Sequence, residues 1–152
     1  MKNIFLDTNI LVRLAITNNI SFQELLYNHI LSEFPNFSSF YISDLVFNET
    51  HAFLTNKIDI TKANHFLISL FSQSIDLPFD FKLIYHNQSN HNKAIKIATD
   101  MNYIHRGKGL SMVDALLLIQ MSDENGIIYT SDLRMSYYHN EQNLQVAHWF
   151  NA

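Results

Sequence analysis

Four acidic residues, Asp7, Glu49, Asp114 and Asp132, stand in four separate segments, in "FLDTNILVRL", "SDLVFNETH", "LSMVDALLL" and "IYTSDLRM". Carboxylates brought together repel, and without compensation one or more of them takes up a proton. A hard divalent cation removes that conflict. With oxygen donors and no cysteine in the chain, the ion implied is Mg²⁺ or Mn²⁺, which binds through few carboxylates, keeps waters and often works beside a phosphate. Such an ion lowers the pKa of a bound water and neutralises charge on a phosphoryl group. The reaction class indicated is phosphodiester hydrolysis.

Each acid also has a plainer explanation. Asp7 sits at a strand-to-helix junction, where Asp or the following Thr8 caps helices. Asp114 follows Ser111 by three residues, a capping-box spacing. Asp132 follows an apolar run and reads equally as a turn residue. Glu49 is harder to dismiss: its neighbours at three and four residues are Leu45, Val46, Ala52 and Phe53, so helical spacing places it on the buried face, from which it either snorkels to the rim or points into a site that needs charge.

The elements that would position these acids follow from hydrophobic periodicity. Residues 3 to 7, "NIFLD", read as a buried strand running straight into a helix over "NILVRLAI". "SFQELLYNHILSEF" (21 to 34) is helical after a Ser cap, and "SFYIS" (39 to 43) is a strand feeding a helix from Asp44 to Asn56. "TKANHFLISLFSQ" is another helix with Thr61 as its cap. "IDLPFDFKLIYH" has room for a short strand near its start. Residues 89 to 102 and 111 to 125 are helical, the second ending at Gly126; "IIYTS" is a strand and "QVAHW" an edge strand. Alternation of this kind predicts an α/β fold with a mostly parallel sheet covered on both faces. In such sheets ligands bind at the carboxyl ends of the strands, where Asp7 and Asp132 would stand.

The chain of 152 residues, 47% hydrophobic with three Gly and two Pro, is the size of one domain with its own core. No repeat or linker divides it, so residues 1 to 152 are read as one unit. The absence of cysteine fits a reducing compartment, and no segment reaches the length of a membrane span; the expected location is the cytoplasm. A net charge of −4 argues against coating nucleic acid through bulk charge.

Taken together, the four acidic motifs resemble those of PIN-domain nucleases, and the single-domain length resembles the toxins of VapBC toxin–antitoxin pairs. The resemblance implies a central parallel sheet flanked by helices, ribonuclease activity on RNA, homodimerisation and inhibition by a small antitoxin. It also implies that Asp7, Glu49, Asp114 and Asp132 surround Mg²⁺ or Mn²⁺, with Thr130 two residues before the last Asp and Asn9 orienting the first. After Asp132 the segment "LRMSYYHNEQNLQ" is longer and more polar than in many relatives.

Residues 86 to 113 carry Lys93, Lys96, Arg106 and Lys108 against Asp100, a local charge of +3. Arg106 and Lys108 flank Gly107 in "HRGKGLS", just before the helix of Asp114, a placement suited to phosphate, although a solvated basic face has the same composition. The eight His show no pair at helical i, i+3 or i, i+4 spacing and read as structural or surface residues. The run "NHFLISLFSQSIDLPFDF" holds more apolar residues than a one-sided helix needs, leaving surface for an antitoxin or a second copy. Two rival readings remain: a haloacid-dehalogenase-like phosphatase wants a second Asp where Asn9 stands, and a PIN-like binding module without catalysis would be expected to lack one of the acids.

Overall fold

The computed structural model describes residues 3–17, 20–36, 39–71, 80–104, 110–132 and 146–148. Five strands form one sheet: β1 (Asn3–Leu6), β2 (Ser39–Ser43), β3 (Asp80–Ile84), β4 (Gly126–Thr130) and β5 (Val146–His148), in the order β3-β2-β1-β4-β5. Every pairing is parallel. The chain steps outward from β1 to β2 and β3, then returns to the far side of β1 for β4 and β5. The order therefore reverses between β1 and β4, the kind of switch point beside which open α/β sheets bind ligands. This is the mostly parallel α/β arrangement that the sequence predicts.

Among the described residues, six α-helices accompany the sheet: α1 (Thr8–Thr17), α2 (Ile20–Glu33), α3 (Asp44–Lys57), α4 (Ile60–Phe71), α5 (His91–Ile104) and α6 (Met112–Asp123). No described helix is long and apolar enough to cross a membrane. The central strands β1 and β4 are buried on both faces, which is why they read as continuous apolar runs. Ile4, Phe5, Leu6, Ile127, Ile128 and Tyr129 join Leu11, Ile30, Phe40 and Leu118 in the core. Helix α6 is buried from Ala115 through Met121, so it runs through the core instead of lying on it.

Several local expectations shift. Helix α4 is capped by Asp59, whose Oδ1 accepts the Lys62 amide at 2.7 Å; Thr61 is already inside the helix, because the carboxylate one residue ahead of the first helical residue reaches the third helical amide. Helix α2 begins at Ile20, one residue before the expected Ser21 cap. Strand β3 occupies the second half of the segment assigned to it, beyond Pro78, which has no N–H to give a ladder. Helix α6 ends at Asp123, and the left-handed residue after it is Asn125, with φ 51°. Gly126 instead starts β4 and is small for a packing reason: a Cβ there would stand 2.6 Å from the Phe5 ring.

Candidate active site

Asp7 is the first residue beyond β1, and its backbone stays in the sheet: its N–H donates to the Tyr129 carbonyl of β4 at 2.9 Å. Its own carbonyl accepts the Ile10 and Leu11 amides, so Asp7 starts α1 through the main chain. That leaves the carboxylate for other work. Oδ1 accepts the Thr8 amide at 2.7 Å, and Oδ2 accepts the Thr130 hydroxyl at 2.7 Å and the Asn9 side-chain amide at 3.2 Å. Capping alone does not explain contacts that cross from β1 to the end of β4.

Asn9 and Thr130 are the parts that hold this carboxylate still. Asn9 Nδ2 also donates to Thr130 Oγ1 at 3.2 Å, while its Oδ1 accepts the Ser131 amide at 3.0 Å, which fixes which way the amide faces. Thr130 Oγ1 in turn accepts the Asp132 amide at 3.0 Å. One hydroxyl thus ties the backbone of Asp132 to the carboxylate of Asp7. Asp132 is half-buried beside Thr130, and the open cleft next to Asp7 is walled by other residues.

That cleft, of about 610 Å³, is lined by Asp7, Thr8, Asn9, Val12, Glu49, Phe53, Ser111, Val113 and Asp114. Glu49 reaches it from α3, but not from the buried face expected of it. The buried stripe of α3 is Val46, Thr50 and Leu54; Glu49 is exposed beside that stripe, and Thr8 Oγ1 donates to its Oε2 at 3.1 Å. Apolar neighbours in sequence misled here because Ala52 and Phe53 are themselves exposed at the rim. Asp114 enters from the first turn of α6, half-buried. The Ser111 hydroxyl caps that helix by accepting the Asp114 amide at 3.1 Å. Arg106 and Lys108 lie outside the described residues, as do Ile75, Leu77 and Phe79. Ile68 of the same apolar run is 68% exposed on α4, while Leu67 and Leu70 are buried.

Burial dominates the electrostatics of the site. It raises the Asp7 carboxyl from 3.8 to about 6, against the lowering effect of the Thr130 and Thr8 hydrogen bonds; the negative charges of Asp114 and Glu49 add to the rise. Asp7 therefore senses both other acids of the cleft. Among the described residues, no three His, Asp or Glu converge closely enough to enclose an ion by themselves. An all-oxygen donor set around an open cleft with room for water suits a hard cation that keeps part of its hydration shell, and it offers nothing to a soft one.

No family model matches the chain, and no curated protein is significantly similar to it in sequence. Solved structures are similar. A VapBC2 complex from Rickettsia felis bound to promoter DNA superposes with a TM-score of 0.69 at 18% identity, covering 97% of this chain and 99% of that one. VapC20 of Mycobacterium tuberculosis, a toxin that cleaves the sarcin–ricin loop, gives 0.62 at 16% identity over 89% of this chain and 94% of that one. FitAcB from Neisseria gonorrhoeae gives 0.62 at 19% identity over 97% of this chain and 96% of that one. Along almost all of its length, the chain has the PIN-like fold of these VapC-type toxins.

Proposed function

We propose that the chain is a metal-dependent endoribonuclease that hydrolyses RNA phosphodiester bonds, acting as the toxin of a toxin–antitoxin pair in the cytoplasm. The observation that carries this reading is the buried carboxylate of Asp7, raised to about 6 and facing two further acids across one cleft. Such a cluster is unfavourable by itself and becomes favourable around a cation.

Asp7 and Asp114 would hold Mg²⁺ or Mn²⁺, with Glu49 across the cleft and Asp132 beside Thr130. The ion would supply charge neutralisation at the phosphate and acidify a bound water. The protein's own residues do the rest. Thr130 and Asn9 aim the Asp7 carboxylate and oppose its protonation by donating to its Oδ2. Thr8 fixes Glu49 by donating to Oε2, leaving Oε1 to take a proton from the attacking water. As the water oxygen bonds to phosphorus, the P–O bond to the departing ribose breaks and that oxygen takes up a proton from solvent, while Glu49 releases to solvent the proton it took. Asn9 speaks against phosphatase chemistry of the haloacid-dehalogenase type, since the position that would need a second Asp instead orients the first.

RNA is the expected substrate, supported by the likeness to a toxin that cleaves the sarcin–ricin loop, and a small antitoxin is the expected partner, supported by the likeness to a VapBC2 complex; homodimerisation is the expected state. An antitoxin segment placing a basic side chain between Asp7 and Asp114, with an apolar residue on Phe53 and Val113, would fill the cleft. The test is cleavage of total RNA by purified protein with Mn²⁺. Activity lost on chelation and in Glu49→Gln and Asp114→Asn supports the reading; chelator-resistant cleavage, or none with any divalent ion, overturns it.

A further inference from the structure

A second side-chain cluster stands apart from the acidic cleft, where β3 leads into α5. His86 lies two residues past β3, and the first residue of α3, Asp44, grips it twice. Asp44 Oδ1 accepts the His86 backbone amide at 2.9 Å, and Oδ2 accepts ring Nδ1–H at 2.7 Å. His91 opens α5, and its Nδ1–H donates to the Gln88 carbonyl at 2.7 Å. The two rings lie 5.6 Å apart between centroids at 62°.

The partners decide the tautomers. A carboxylate and a carbonyl only accept, so each Nδ1 carries the proton and each neutral ring keeps its lone pair on Nε2. An imidazole whose Nδ1–H is held by a carboxylate or a main-chain carbonyl is the arrangement that orients histidine ligands around transition metals. Two imidazoles sharing one tetrahedral ion at ordinary Zn–N lengths have ring centres about 5 Å apart, close to the separation seen here. His91 is exposed and His86 partly so, so an ion can reach both. Neither residue lines the acidic cleft.

We propose that His86 and His91 form a two-imidazole site for a borderline divalent transition ion, Zn²⁺ being the type case, with Asp44 and the Gln88 carbonyl as orienting partners. Nitrogen donors distinguish it from the oxygen-lined cleft, which favours hard cations. The open coordination positions are available to water or to a donor from outside the pair. Histidine spacing along one helix gives no sign of such a site, because the two residues are five apart and straddle a turn of 3-10 helix (Gln88–Asn90).

The experiment is competition for Zn²⁺ against a chromophoric chelator at pH 7.5, using tag-free protein with excess Mg²⁺ present. The wild type should withdraw one Zn²⁺ per chain. His86→Ala and His91→Ala should each weaken that binding roughly tenfold or more, Asp44→Asn about tenfold through lost orientation, and Asp7→Asn not at all. His91→Ala leaves the Asp44–His86 latch intact, so its loss of binding cannot be ascribed to unfolding. Zn²⁺ held equally by both His variants, no withdrawal by the wild type, or loss in Asp7→Asn would overturn the assignment.

Discussion

Asp7→Asn should make the metal-free protein more stable at neutral pH. The Asp7 carboxyl rises from 3.8 to about 6 on folding, so the fold favours its protonated form. The stabilisation it contributes is complete below pH 3.8 and is lost as pH rises through 6. Two units correspond to about 3 kcal/mol in all. Between pH 4.5 and pH 7 the share lost is about 2 kcal/mol, or about 4–8 °C in Tm for a chain of this size. Asparagine carries no such penalty, but its amide nitrogen cannot accept from Asn9 and Thr130 together, at a cost of about 1 kcal/mol. The two curves should therefore converge or cross near pH 4.5, with the variant ahead by about 2 kcal/mol at pH 7 and above. Thermal unfolding in chelator across pH 4.5 to 8 measures the difference directly. Mn²⁺ at about a hundredfold excess over Kd should return about 2.7 kcal/mol to the wild type and nothing to the variant. Parallel curves for the two proteins in chelator would refute the reasoning, since they would mean that Asp7 ionises in the fold as easily as in water.

Thr130→Val removes the hydroxyl that donates to Asp7 Oδ2 and accepts the Asp132 amide; the Asp7 carboxyl should rise further, and the pH–rate profile for RNA cleavage should move to higher pH. An unmoved acid limb would remove Thr130 from the site. Gly126→Ala forces the Phe5 ring out of a packed core position and should cost about 1–3 kcal/mol, read as a lower urea midpoint with an unchanged m-value. Replacing Arg106 and Lys108 with Ala should flatten the dependence of log K for RNA on log salt by about one per lost phosphate contact, with Mn²⁺ affinity preserved; an unchanged slope makes them ordinary surface charges.

The two central strands, and the sheet edge on which Asp7 and Asp132 stand, were legible because β1 and β4 are continuous apolar runs that end shortly before those residues, and Ser111 announced α6 as its cap. Asn9 and Thr130 became candidates only through the motif resemblance. Nothing in their spacing along the chain shows that residues 121 apart share a hydrogen bond, since that contact exists only once β1 and β4 pair. Glu49 was found for the wrong physical reason: apolar neighbours at i±3 and i±4 suggested burial, whereas the cleft gathers exposed apolar residues such as Phe53 around it. The Asp59 cap was missed because Thr61 offered an equally good residue type two positions on, and cap choice depends on where the first turn closes. The His86–His91 contact was invisible to a helical template because the chain turns between them.

The most direct test of the acidic cleft as a divalent cation site is a titration of Mn²⁺ followed by electron paramagnetic resonance at pH 7.5, in which the sharp signal of the free aqueous ion fades as protein binds it. With Zn²⁺ excluded, the wild type should deplete that signal saturably, and Asp7→Asn and Asp114→Asn should leave it close to that of buffer. A free-ion signal undiminished by excess wild-type protein, or equally diminished by both variants, would contradict the assignment of these carboxylates to a metal.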